Sequence, residues 1–372
     1  MGFIASRFSR RGFLLGAASI GAFGAGSKDS CGDNLGLRAT AASKGLLFGS
    51  LMRLSSLRGG TTYALMMERE CSLYVCADMH WRLVAPTPTA TDFSKVDPAA
   101  AWAQAHDMRF RGHALLWHLQ TPGWFKELPD RGAAVAALQA HIHTMCTHFA
   151  GAMQSWDVVN EAIMANGGMN GLRKTVFLEK IGPEYLDIAF HTAREADDKA
   201  LLVLNEPAVE YDYLGSRQRR RLLLDLIDGF KRRNTPIDAI GIQSHLATQG
   251  SKHLDDRSLA DFLREVSDRG LKILVTELDV IDQASPSNVA TRDAEVAAMY
   301  KRYLDVVLDN KATVAVATWG LTDRDSWITR GDEPGFRRAD GLPARPLPFD
   351  DHYSRKPAYY AVAEALKAAP AH

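Results

Sequence analysis

Cysteine is scarce in this sequence, with 4 among 372 residues. Cys31, Cys71, Cys76 and Cys146 form no CxxC pair, which argues against a structural zinc site. Cys71 and Cys76 stay open as a pair, with buried free thiols as the default. Excess charge is absent too: Lys and Arg number 44, as do Asp and Glu. Nothing in that balance points to a bulk electrostatic partner such as nucleic acid. The basic runs Arg217–Arg221 and Lys231–Arg233 have no interleaved aromatics and read as the solvated face of a long helix. Neither GxGxxG nor a phosphate loop is present, which removes the main support for an open doubly wound sheet. No GxSxG marks a nucleophilic serine. The one HxH, His141–His143, falls in a helical stretch at positions that do not share a face, so no metal is expected.

Long apolar runs are missing as well. The N-terminus carries Ser9-Arg10-Arg11-Gly12-Phe13-Leu14-Leu15, then a Gly/Ala-rich apolar stretch to about Ala25. This resembles a twin-arginine export signal and is too short and glycine-rich for a membrane-spanning helix. Residues 1–40 are therefore expected to be signal and linker, followed by one domain over 41–372. The expected destination is periplasmic or extracellular, without stable membrane insertion.

What is present is alternation. Short β-rich runs, from Leu46–Leu51 to Thr313–Trp319, alternate with longer stretches of helical period. The others are Ser72–Cys76, Arg111–Trp117, Gln154–Asn160, Ala200–Asn205, Ala239–Gln243 and Lys272–Glu277. Eight such strands predict an α/β fold, a (β/α)8 TIM barrel forming a single catalytic domain. In that fold the C-terminal strand ends build the active site. Here those ends carry His113, Trp117 and Gln120; Asn160-Glu161; Asn205-Glu206; Gln243 and His245; Glu277 and Asp279; and Trp319 with Trp327 beyond. Two carboxylates with amides, histidines and tryptophans suit glycoside hydrolysis. One carboxyl protonates the leaving oxygen, and the other attacks the anomeric carbon or activates water. Indole faces stack on sugar rings.

The segments RGHALLWHLQTPGW, SWDVVNEA, GIQSHL, VTELDV and TWGLTDRDSW occur in this order. Together they resemble glycoside hydrolase family 10, the retaining endo-β-1,4-xylanases, over residues 46–367. The resemblance implies Glu161 as general acid/base and Glu277 as nucleophile. It implies His245 as a donor to Glu277, oriented by Asp279, and Asn160 as the partner of a sugar 2-hydroxyl. Gln243, His113 and Trp117 are expected to line the same subsite, with Trp319 and Trp327 as its walls. His80, Trp81, Gln120 and Asn205 are the remaining expected substrate contacts. The implied partner is a polysaccharide or oligosaccharide, handled by a monomer without a cofactor.

Two segments depart from the family. Its second strand usually ends Glu-Asn-x-Met-Lys-Trp, where this chain has Cys76-Ala77-Asp78-Met79-His80-Trp81. That changes contacts to the distal sugar on the non-reducing side. After the fifth strand the family's Asn-Asp-Tyr-Asn is replaced by Asn205-Glu206-Pro207-Ala208. The competing expectations are a retaining enzyme for another β-linked glycan, or a weakly active carbohydrate-binding barrel.

Overall fold

The computed structural model describes residues 35–57, 62–76, 78–330 and 334–372. Its parallel strand segments are β1 (Leu47–Met52), β2 (Leu73–Cys76), β3 (Arg109–Gly112), β4 (Leu116–Trp117) and β5 (Met153–Asn160). They continue with β6 (Leu201–Glu206), β7 (Ala239–Ile242), β8 (His245–Ala247), β9 (Lys272–Ile281) and β10 (Thr313–Thr318). The order β10-β1-β2-β3-β5-β6-β7-β9, with β9 pairing β10, closes the sheet on itself. Segments β4 and β8 continue the staves of β3 and β7, so ten segments make the eight staves of the expected barrel.

The two broken staves are a departure from the sequence reading, which ran Arg111–Trp117 through without interruption and ended the sixth strand at Gln243. The third stave leaves its ladder at 113–115, and the sixth at Gln243-Ser244, where Ser244 has φ 64°. Above each break the chain pairs on one side only, β4 with β5 and β8 with β9.

The strands are Val, Leu and Ile-rich because both faces are covered. Inside the barrel a small cluster packs Leu73, Val75, Val203, Ala239, Leu274, Ala315 and Ala317. The larger core lies between strands and helices. The Asp256–Asp268 helix shows how a helix docks: Leu259, Phe262, Leu263 and Val266 form one buried stripe. Asp255 caps it by accepting from the Ser258 N–H at 2.7 Å.

Residues 35–40, read from sequence as linker, belong to the barrel unit, which begins at Leu35. The Leu37–Ala42 helix buries Leu37, Thr40 and Ala41, and the Leu37 N–H donates to buried Glu70 at 2.8 Å. Six residues give too little periodicity to recognise a helix in advance. The export-type segment, Cys31 and Ala77 lie outside the described residues. Cys71, Cys76 and Cys146 are buried free thiols. The Leu214–Arg233 helix forms as expected, with Arg217, Arg221 and Lys231–Arg233 exposed. Arg220 departs from that face: it is buried against the Val209 and Glu210 carbonyls. No helix among the described residues is long and apolar enough to cross a membrane.

Register places the chemistry. Asn160 lies beside Asn205, and Asn205 beside Gly241. A Cβ on Gly241 would stand 2.2 Å from Asn205 Oδ1 and 3.0 Å from a Thr276 methyl. Gly241→Ala is therefore expected to destabilise the protein by about 1–3 kcal/mol through overpacking and to lower activity by displacing the Asn205 amide. Denaturant unfolding and turnover measure both. Wild-type values on both counts would show that the amide is not confined as described.

Candidate active site

Glu277, near the middle of β9, is buried, and both of its oxygens are occupied. Asn205 Nδ2 donates to Oε1 at 2.7 Å, and His245 Nε2 reaches Oε2 at 3.1 Å. His113 Nδ1 lies 3.9 Å from Oε1. Burial works against a charge on Glu277, but His113, His245 and the Asn205 hydrogen bond outweigh it and hold the carboxyl below its usual range.

Each of these histidines has its own carboxylate. His245 Nδ1 bonds Asp279 Oδ1 at 2.9 Å, and Asp279 Oδ2 accepts from Trp327 Nε1 at 2.7 Å. His113 Nδ1 bonds Asp157 Oδ2 at 2.8 Å, and Asp157 also accepts from buried Arg111. Burial opposes charge on both rings. Asp279 and Glu277 nevertheless hold His245 well above its ordinary value, and Glu277 and Asp157 raise His113.

Glu161 follows the last residue of β5 and has φ 61°. Its N–H donates to the Asn205 carbonyl at 2.9 Å, and its side chain is only partly buried. Gln243 Nε2 donates to Asn160 Oδ1 at 3.2 Å and reaches Glu161 Oε1 at 3.3 Å. Asn205 Nδ2 also donates to Asn160 Oδ1 at 2.8 Å. A continuous chain of amides thus runs from Glu161 through Gln243, Asn160 and Asn205 to Glu277. The Asn160 oxygen accepts twice, and its Nδ2 is buried without a partner. That donor is left for a ligand.

Three further nitrogens on neighbouring rings share this condition: Nε2 of His80, Nε2 of His113 and Nε1 of Trp117 are buried and unpartnered. Their rings form a triangle, with centroids 5.6 Å (His80–His113), 5.5 Å (His80–Trp117) and 5.8 Å (His113–Trp117) apart. Trp319 stands edge-on to His113 at 5.1 Å, and Trp327 lies 5.2 Å from His245. Both indoles are partly exposed. Unsatisfied buried polar groups are costly, and a site lined with them suits a hydroxyl-rich ligand.

The structure therefore brings together Asn160, Glu161, Asn205, Gln243, His245, Glu277, Asp279, His113, Trp117, His80, Trp319 and Trp327. One expected contact, Trp81, falls elsewhere. Trp81 is 2% exposed and stacks on His141 at 4.2 Å, with Phe125 and Trp124 around it. It is a core residue with no face free for a sugar, because the Trp81–Val84 helix turns it away from the mouth. Gln120 sits on the turn after β4, engaged by Arg82. His80 joins this cluster through its ring contacts with His113 and Trp117. Burial, and then the charges of His113, Arg82 and Arg53, push it down to about 3, so it is neutral near pH 7. His141 bonds the Leu115 carbonyl at 3.0 Å while His143 is exposed, so the HxH pair is divided between two faces.

Sequence reasoning missed Arg173, Asp157 and Arg111, and it placed Glu206 at a strand end without giving it a role. Arg173 Nε donates to the Glu161 carbonyl at 2.8 Å, and its Nη2 lies 3.5 Å from Glu161 Oε2. Asp157 sits three residues before Asn160 in the quoted SWDVVNEA segment, and a buried-strand carboxylate beside an Arg111 on the next strand was the available signal. Arg173 offered none, and Glu206 offered only its place at the end of the fifth strand.

The description Glycosyl hydrolase family 10 matches residues 36–365. Endo-1,4-beta-xylanase B of Thermotoga neapolitana is 30% identical over 316 residues, covering 84% of this chain and 85% of that protein. Exoglucanase XynX of Acetivibrio thermocellus is 33% identical over 299 residues, which are 77% of this chain and 25% of that longer protein. The crystal structure of xylanase 10B from Thermotoga petrophila RKU-1 in complex with xylobiose superposes with TM-score 0.81 at 30% identity, covering 90% of this chain and 98% of that one. The chain belongs to glycosyl hydrolase family 10 and is a glycoside hydrolase.

Proposed function

We propose that this protein is an exported, monomeric, retaining endo-β-1,4-xylanase. The observation that carries the mechanism is the amide chain joining Glu161 to Glu277. Glu161, at the open rim, gives its proton to the leaving oxygen. Glu277, buried and held ionised, attacks the anomeric carbon and forms a glycosyl-enzyme. Glu161 then takes a proton from water, which releases the sugar with retained configuration. Asn160 Nδ2 and His113 Nε2 supply donors for sugar hydroxyls. The names of the similar proteins favour xylan as substrate. Export rests on the twin-arginine-type sequence alone.

A second reading, the same chemistry on another β-linked glycan, is favoured by the distal site. Cys76 there is a buried thiol and His80 is neutral, where the family supplies a carboxylate and a lysine. The relative named an exoglucanase points the same way. A binding barrel without turnover is disfavoured because it has no use for this pair of carboxylates.

Polymeric xylan and an aryl β-xyloside should both be hydrolysed, and Glu277→Ala should reduce turnover by at least about 10⁴-fold. No release from any xylo-substrate would sink the xylanase reading, and release that survives Glu277→Ala would remove the nucleophile. The acid limb of kcat/KM should follow the proton on Glu277 and lie below the usual glutamate value of about 4.3. His245→Ala removes a group that favours the charge and leaves burial to oppose it, so that limb should move to higher pH. An unmoved limb would show that His245 does not hold Glu277 ionised. His80→Ala should lower kcat/KM for xylotriose more than for the aryl monosaccharide. Equal losses would place His80 outside the distal site.

A further inference from the structure

We infer that Glu206 and Arg219 act as a positioning pair for Glu161, by holding the Ile163 peptide that ends the turn on which the acid/base is carried. The inference rests on the role of Glu161 proposed above. Glu206 is the last residue of β6 and is fully buried. Its Oε1 accepts the Ile163 N–H at 3.1 Å. Its Oε2 has no hydrogen-bond partner and faces Arg219 Nη1 at 3.8 Å. The same Arg219 nitrogen donates to the Ile163 carbonyl. Both polar groups of one residue are therefore taken by two side chains that also face each other.

The turn needs such a hold. Glu161 is a non-glycine residue at φ 61°, a conformation that persists when its surroundings over-determine it. The neighbouring groups are fixed likewise. The Glu161 N–H is held by Asn205, its carbonyl by Arg173, and the Ala162 carbonyl by the Arg173 N–H at 2.7 Å. Asn205 precedes Glu206, so one strand end supplies both the amide that donates to Glu277 and the carboxyl that secures the turn of Glu161. Burial pushes Glu206 up to about 8, with Arg219 opposing and the Glu161 charge adding to the rise.

A positioning role predicts a leaving-group signature. An aryl β-xyloside whose phenolate departs unaided needs no proton from Glu161 to form the glycosyl-enzyme, whereas xylan does. Glu161→Ala sets the reference: kcat/KM on xylan should fall by at least about 10²-fold, the aryl substrate should lose far less, and azide should raise aryl turnover by replacing the base-activated water. Absence of that pattern would remove the acid/base assignment itself. Glu206→Leu and Arg219→Gln should show the same pattern in milder form, with about tenfold or greater loss on xylan and within about threefold on the aryl substrate. Glu206→Gln keeps an oxygen for the Ile163 N–H and should recover most of the loss. If Glu206→Leu does not fold, Arg219→Gln and Glu206→Gln carry the measurement. Equal loss on both substrates, or none on either, while Glu161→Ala behaves as stated, overturns the role of the pair and leaves Glu161 in place.

Discussion

An ionised carboxylate can only accept hydrogen bonds, and at Glu277 that restriction orients the site. The Asn205 amide must turn its NH₂ toward Glu277, and the second hydrogen of that NH₂ then meets Asn160 Oδ1. The Asn160 oxygen takes a further bond from Gln243, so its own NH₂ has nowhere to go but the cleft. No member of this series could be reversed without placing two acceptors or two donors face to face in a buried site. The sheet register supplies the spacing, and the missing side chain of Gly241 supplies the room.

The two carboxylates are made different by what surrounds them. Glu277 is enclosed and meets two histidines, each backed by a buried aspartate. Glu161 is partly open to solvent and meets one amide and one guanidinium. A group that must stay charged through the reaction is best enclosed among donors. A group that must lose a proton and regain it is best placed where water can reach it. Burial and partner choice thus separate the roles that the residue type leaves equivalent.

The barrel and the reactive strand ends were legible because each strand is a compact β-rich run and six of the eight end at polar residues or a tryptophan. Its finer points were not. The Arg111–Trp117 run is apolar enough to read as one strand, yet its backbone leaves the ladder at 113–115, which no pattern of side chains records. His80 and Trp81 are consecutive, and motif matching assigned both to the sugar, but the short helix they enter sends one to the cleft and the other into the core. The roles of Arg173 and Glu206 were illegible because what they hold is main chain. A backbone carbonyl 12 residues away, or a backbone N–H 43 residues away, has no sequence signature. The 35–40 segment was set aside as linker on the usual length of an export signal, and its helix is too short to show a period that would have opposed this.

The two broken staves have a geometric consequence. Above the breaks the third stave joins only the fourth, and the sixth joins only the seventh. The strand rim is therefore notched twice, between the second and third staves and between the fifth and sixth. A line from notch to notch leaves Glu161 on one bank and Glu277 on the other, with Asn205 and Asn160 on the first and His245 and Trp319 on the second. The line between the two breaks in the backbone ladder thus passes between the two carboxylates, so each is carried by main chain that is not laddered to the other's at the rim.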